Sequence, residues 1–199
     1  LDCNSLYYEY VPLNLGDNSI IIMNTNKRRE LADSKYNERR KECDDSLDTL
    51  KKYTNISSLC ELTSLEFETY KDKIEDSNKL RRCVHAISEN ERVKDAVKAL
   101  KENNLELFGQ LMNQSHISLR DDYEVTGKEL DTLAENAWKQ PGVLGARMTG
   151  AGFGGCAIAI VNNAHVDEFI KNVGQAYKDA IGYEASFYVA SIGNGPTEL

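Results

Sequence analysis

"MTGAGFGGCAIAIV", residues Met148 to Val161, places four glycines in the six positions from Gly150 to Gly155 and then alternates small and branched apolar residues. As a string, Gly150 to Gly155 satisfies G-x-G-x-x-G. That pattern opens a dinucleotide site only when a helix follows it, because pyrophosphate rests on the N–H groups of the helix N-terminus. Here Cys156 to Val161 alternate like a strand. A Walker A loop is excluded as well, since no Gly-Lys-Ser/Thr follows the glycines. What remains is a glycine-rich link between two strands. Either it is a tight turn that needs positive φ, or another segment lies against its backbone where a Cβ would collide.

Working outward, Val143 to Met148 reads as the strand before the glycines. After the second strand, Asn162 or Asn163 caps a helix carrying Val166, Phe169, Ile170, Val173 and Tyr177, and Gly182 ends it. Ala185 to Ile192 reads as a last strand. Upstream, Thr126 and Glu129 have the spacing of a capping box ahead of Leu130, Leu133, Ala137 and Trp138, with Pro141 and Gly142 as the stop. Asn104 caps a helix carrying Leu105, Phe108, Leu111 and Met112. Leu80, Val84, Ile87, Val93, Val97 and Leu100 mark a longer helix before it. From Arg28 to Lys52 the pattern is helical, with Ala32, Tyr36, Cys43, Leu47 and Leu50 on one face. At the start, Leu6 to Val11 and Ile20 to Met23 read as two strands joined through Gly16-Asp17-Asn18. Strands at both ends with helices between them give one α+β domain over residues 1–199.

The chain has 199 residues, 41% hydrophobic and 28% charged, which suits one soluble domain with its own core. A net charge of −8 argues against nucleic acid and anionic membranes as partners. RNA stacking is disfavoured further, because Phe187 and Tyr188 point to opposite faces of their strand. Five widely spaced cysteines with no C-x-x-C pair argue against a disulfide framework or a zinc site and favour a cytoplasmic setting. His85, His116 and His165 show no metal spacing and read as surface or helix-packing residues. The run from Lys27 to Glu42 mixes both charges and reads as a solvated helix face. Asn24 and Asn26 sit where a strand ends, a place for turn formers and binding residues alike.

"RMTGAGFGGC" resembles the third signature motif of the GHMP small-molecule kinases. "MNTNKRRELADSKYNERRKEC", "SHISLRDDYEVTGKELDTL" and "FYVASIGNG" narrow the resemblance to galactokinases over essentially the whole chain; Asn194, where Asp is more usual, is a minor departure. The resemblance implies the ferredoxin-like C-terminal lobe, an antiparallel sheet with a large helical insertion. It also implies transfer of the ATP γ-phosphate to the C1 hydroxyl of α-D-galactose. In the family the N-terminal lobe carries the ATP loop, the magnesium ligands and the catalytic Asp, so ATP and Mg2+ are expected mainly on that lobe and no catalytic residue or metal ligand is expected here. The chain is expected to start just after the catalytic Asp loop and to be inactive alone, with Asp2 structural. Tyr36, in "SKYNERR", matches a tyrosine that hydrogen-bonds galactose, although its spacing alone reads as core packing. Gly150, Gly152, Gly154 and Gly155 are implied to support the phosphate-binding loop of the other lobe. A silent galactose- and ATP-binding regulator, or a kinase for a related sugar such as N-acetylgalactosamine, would share these motifs.

Overall fold

The structure, a computed structural model, describes residues 1–2, 4–27 and 32–193; Cys3, the helix start read at Arg28, and Asn194 lie outside the described residues. Strands β1 (Asn18–Asn24), β2 (Val143–Thr149), β3 (Cys156–Asn162) and β4 (Ser186–Ala190) form one antiparallel sheet in the order β2-β3-β1-β4. Between β1 and β2 come five helices: α1 (Ala32–Leu50), α2 (Ser64–Glu68), α3 (Ser77–Lys101), α4 (Leu105–Asp121) and α5 (Lys128–Ala137). Helix α6 (Val166–Ile181) joins β3 to β4. The expected α+β lobe with a helical insertion is what forms.

Period-two alternation decides which face of the sheet is covered. Ile21, Met23, Ala146, Met148, Ala157, Ala159 and Val161 all turn to one side. There they meet Leu130, Leu133 and Ala137 of α5 and Phe169, Val173 and Tyr177 of α6. Each large side chain buried in this layer contributes roughly 1.5–3 kcal/mol. Asn162 Oδ1 accepts from the Ala164 N–H at 3.0 Å ahead of α6, and Gly182 ends that helix at φ 93°. Asn104 caps α4 by accepting from the Leu107 N–H at 3.0 Å.

Strand β2 lies at the edge of the sheet, and α4 covers that edge. Asn113 Oδ1 accepts from the Ala146 N–H at 2.8 Å, and His116 Nδ1 accepts from the Met148 N–H at 3.0 Å. Trp138 Nε1–H donates to the Ala146 carbonyl at 3.0 Å. Side chains thereby satisfy main-chain groups that a naked edge would offer to another chain. His116, fully buried, is a packing residue as its sequence context suggested.

Three local expectations differ from the structure. Leu6–Val11 is no strand: among the described residues its main-chain pairing is Asp2 N–H donating to the Tyr7 carbonyl at 2.7 Å and Leu6 N–H donating to the Asp2 carbonyl at 2.8 Å. With so short a partner the segment stays irregular, and Tyr7, Tyr8 and Tyr10 are exposed. The capping box of α5 does not form. Gly127, at φ 82°, occupies the cap, Thr126 is buried, and Glu129 turns instead to Lys27 Nζ at 2.9 Å. On α3 the buried set is Arg82, Cys83, His85, Ile87 and Ala99, while Val84 and Val93 are exposed. That helix packs against both α1 and α4, so its covered arc is set by two neighbours rather than by one apolar stripe.

Candidate functional site

The glycine link between β2 and β3 is held by two other segments: the end of β1 at Thr25–Lys27 and the connection from α4 to α5 at Asp122–Gly127. Thr25 is fully buried; both its N–H, at 2.9 Å, and its hydroxyl, at 2.8 Å, donate to the Gly155 carbonyl. The Thr25 carbonyl in turn accepts from the Tyr177 hydroxyl at 2.7 Å. On the other side, the Phe153 N–H donates to the Val125 carbonyl at 2.7 Å.

Both sequence readings of the glycines hold, at different positions. Gly150, at φ 85°, has open space where a Cβ would point, so it is a turn requirement. At Gly152, φ 83°, a Cβ would sit 2.1 Å from the Val125 carbonyl oxygen, so main chain approaches main chain. Gly154 and Gly155 also have positive φ, 123° and 83°. Each of the three segments contains one non-glycine residue in the left-handed region: Asn26 at 55°, Glu124 at 55° and Phe153 at 58°. Such residues persist only where surrounding structure over-determines them, and they gather at functional sites.

Cations border the loop. Lys27 pairs with Glu129, and Lys35 Nζ lies 5.5 Å from the centre of the Phe153 ring, which brings the first turn of α1 onto the glycine loop. Tyr36 is the next residue and is 48% exposed. Its spacing had suggested core packing, but the apolar contacts of α1 with α3 begin at Cys43 and Leu47. Asn26 is occupied structurally: its amide donates to the Glu184 carbonyl at 3.0 Å and Ser186 Oγ at 2.9 Å. Asn24 Oδ1 accepts from the Asn26 N–H at 3.1 Å. The turn-forming reading of these asparagines is the one the geometry carries.

The Asp122–Val125 segment is itself clamped. Arg82, buried to 1%, donates from Nε to Glu42 Oε2 at 2.7 Å, from Nη2 to Glu124 Oε2 at 2.7 Å, and from Nη1 to the Asp122 carbonyl. Burial opposes its charge, but hydrogen bonds to Glu42 and Glu124 outweigh this and hold the guanidinium more firmly protonated than usual. Arg39 of α1 donates from Nε to the Tyr123 carbonyl at 2.8 Å and from Nη1 to Glu42 Oε2 at 3.2 Å. Sequence reasoning passed over Arg82, Thr25 and Val125. Nothing in the charged pattern of α3 separates Arg82 from its neighbours, and the role of Thr25 rests on a partner 130 positions away.

Tyr123 also stacks on His85, ring centroids 4.5 Å apart. His85 Nδ1 is 3.0 Å from Ser118 Oγ, whose hydroxyl donates to Asp122 Oδ2 at 2.8 Å. Burial pushes the His85 imidazole down to about 4. Between the ordinary value near 6.5 and about 4, the unfolded chain holds a proton that the folded chain refuses. Stability is therefore full above pH 6.5 and falls, on descent to pH 4, by up to about 1.4 kcal/mol per unit. His85→Gln is expected to flatten the slope of unfolding free energy between pH 6.5 and 5, read by urea melts at several pH values. An unchanged slope would remove His85 as its source.

Among the described residues no helix is long and apolar enough to cross a membrane. The family described as GHMP kinases C terminal matches residues 96–179. Along its whole length the chain is 59% identical to a galactokinase of Lactiplantibacillus plantarum and 63% identical to one of Exiguobacterium sibiricum, covering 51% and 50% of those proteins. The crystal structure of Lactococcus lactis galactokinase complexed with galactose superposes with a TM-score of 0.96 at 57% identity, over all of this chain and 51% of that one. The L. major mevalonate kinase in complex with R-mevalonate shares the fold alone, at TM-score 0.51 and 18% identity over 86% of this chain and 41% of that one. The chain spans about half the length of the curated relatives it matches.

Proposed function

We propose, on the premise that this chain is a GHMP kinase C-terminal domain, that the whole protein is a galactokinase, moving the γ-phosphate of ATP to the C1 hydroxyl of α-D-galactose. The supporting observation is the end-to-end match to galactokinases at 57–63% identity, one of them solved with galactose, together with a glycine loop pinned between two other segments. Phosphoryl transfer depends on positioning and on charge stabilisation far more than on covalent chemistry. A lobe that supplies shape and no reacting group is consistent with that demand.

In this reading Gly150, Gly152, Gly154 and Gly155 let the β2–β3 link lie against the phosphate-binding loop of the N-terminal lobe. Their main-chain N–H groups, in turn conformations beside Lys27, suit an anionic neighbour. Magnesium is a different matter. It takes carboxylates together with phosphate oxygens, whereas the carboxylate beside the loop, Glu129, is paired with Lys27. Among the described residues no group of three or more His, Cys, Asp or Glu is placed to hold a metal. The described residues therefore do not fit the ion, and in this reading it belongs to the remainder of the protein. Five widely spaced cysteines with no C-x-x-C pair support a cytoplasmic protein.

Tyr36 is the galactose contact in this reading, its ring half exposed at the start of α1 and its hydroxyl without a hydrogen-bond partner among the described residues. Tyr36→Phe in the whole protein is expected to raise the galactose KM about fivefold, the equivalent of one hydrogen bond of about 1 kcal/mol, with little change in the ATP KM. Steady-state kinetics with each substrate varied in turn would show it. Equal changes in both constants, or none, would remove Tyr36 from the sugar site.

A further inference from the structure

We infer that Arg82 is a positioning residue that ties the helix carrying Tyr36 to the segment carrying Val125, so that the sugar side and the phosphate side of the site are set together. The inference rests on the galactokinase reading and adds to it a residue that touches neither substrate.

The linkage runs through named contacts. Helix α1 presents Lys35 to the Phe153 ring, Tyr36 to solvent, Arg39 to the Asp122–Glu124 segment and Glu42 to Arg82. Glu42 is shared: Arg39 holds Oε2 at 3.2 Å and Arg82 holds the same oxygen at 2.7 Å. Arg82 spends its remaining nitrogens on the other segment, at the Asp122 carbonyl and at Glu124 Oε2. Glu124 also meets Arg81 Nη1 at 3.0 Å. Glu124 stands in the left-handed region, and the next carbonyl, that of Val125, receives the Phe153 N–H of the glycine loop. The helix that carries Tyr36 is thus joined to the Asp122–Val125 segment by charge-assisted hydrogen bonds through one fully buried guanidinium, and that segment meets the glycine loop through the main-chain bond at Val125.

A guanidinium is needed there because it directs donors along three fixed directions. A lysine keeps the charge but not the fork, so it can hold one carboxylate or the other while the Asp122 carbonyl goes unserved. A buried charge that bridges two elements is costly unless it is well paired, and each of the three Arg82 nitrogens has a partner, which makes a rigid junction rather than a surface pair. An alternative site on the molecule carries less: the apolar cavity of about 400 Å³ between α3, α4 and the other face of the sheet has its Arg92 and Arg147 already paired with Glu89.

The test compares Arg82→Lys with Arg92→Lys, a matched change on the same helix away from the Asp122–Val125 segment, in the whole protein. kcat, the galactose KM and the ATP KM are measured well below the melting temperature of each variant. Arg82→Lys is expected to lower kcat about tenfold or more and to raise both KM values, because small displacements of reacting groups are costly. Arg92→Lys is expected to match the wild type. A lower melting temperature with unchanged kinetic constants would make Arg82 a purely structural residue, and a change confined to one KM would remove the coupling; either overturns the inference. If Arg82→Lys does not fold, Glu124→Gln, on the exposed side of the same junction, is expected to move the same three constants in the same direction, and unchanged constants there would also overturn it. Absence of galactose phosphorylation by the wild type would instead strike the galactokinase reading itself.

Discussion

Replacing Gly152 with valine in the whole protein is expected to lower kcat/KM for ATP about a hundredfold while leaving a folded protein. The main chain at Gly152 runs at φ 83°, and a Cβ there would lie 2.1 Å from the Val125 carbonyl oxygen. A branched residue cannot remain in that position without pushing the two segments apart. The Phe153 N–H then loses its acceptor at 2.7 Å. Locally this costs roughly 1–3 kcal/mol of backbone strain and about 1 kcal/mol of hydrogen bond. Those losses fall at the Val125 and Phe153 margin of the core and leave the contacts of α5 and α6 with the strands in place, so the protein should still melt cooperatively. The position of the loop is what changes, and phosphoryl transfer is sensitive to position. ATP affinity by calorimetry and melting temperature, measured on one sample, separate the two effects. Unchanged ATP affinity and turnover in a folded Gly152→Val protein would make the link a simple turn.

A larger effect on stability is expected from Gly145→Val, which should cost roughly 3 kcal/mol or more. Helix α4 crosses strand β2 at main-chain contact. A Cβ on Gly145 would lie 2.1 Å from the Gly109 carbonyl oxygen, and one on Gly109 would lie 2.2 Å from the Leu144 carbonyl oxygen. Neither obstacle is a flexible side chain, so the helix must lift off the strand. Lifting it strains the bonds from Asn113 and His116 that protect the edge of the sheet. Urea unfolding should show an earlier midpoint with the slope retained. A midpoint equal to that of the wild type would mean that helix and strand can separate at no cost, contrary to the packing described here.

How far the fold could be read beforehand varied with the range of the interactions involved. The β2–glycine–β3 unit, α6 with its Gly182 stop and the Asn104 cap were legible, because alternation, periodicity and capping act between near neighbours in the chain. Leu6–Val11 has strand composition, yet a strand needs a partner as well as a propensity. The Thr126–Glu129 spacing was right for a capping box, but Glu129 had a better offer from Lys27, a distant residue. Val84 and Val93 fit an apolar stripe on α3 that the neighbours of the helix do not cover, while Arg82 fills the interior because two carboxylates await it.

At the candidate site the glycines were visible as a need for bare backbone, and which of them meets backbone was not. That depends on Val125, which reaches the loop only through the α4–α5 connection. The exposure of Tyr36 could not have come from its spacing, which points inward, whereas the structure leaves it half exposed.

The most direct measurement is phosphorus NMR of the whole protein with ATP, magnesium and galactose, set beside the same mixture with N-acetylgalactosamine. Galactose 1-phosphate should accumulate with ADP in step, and galactose should be the preferred sugar. ATP and galactose consumed at no measurable rate, or N-acetylgalactosamine taken in preference to galactose, would contradict the assignment of this lobe to a galactokinase.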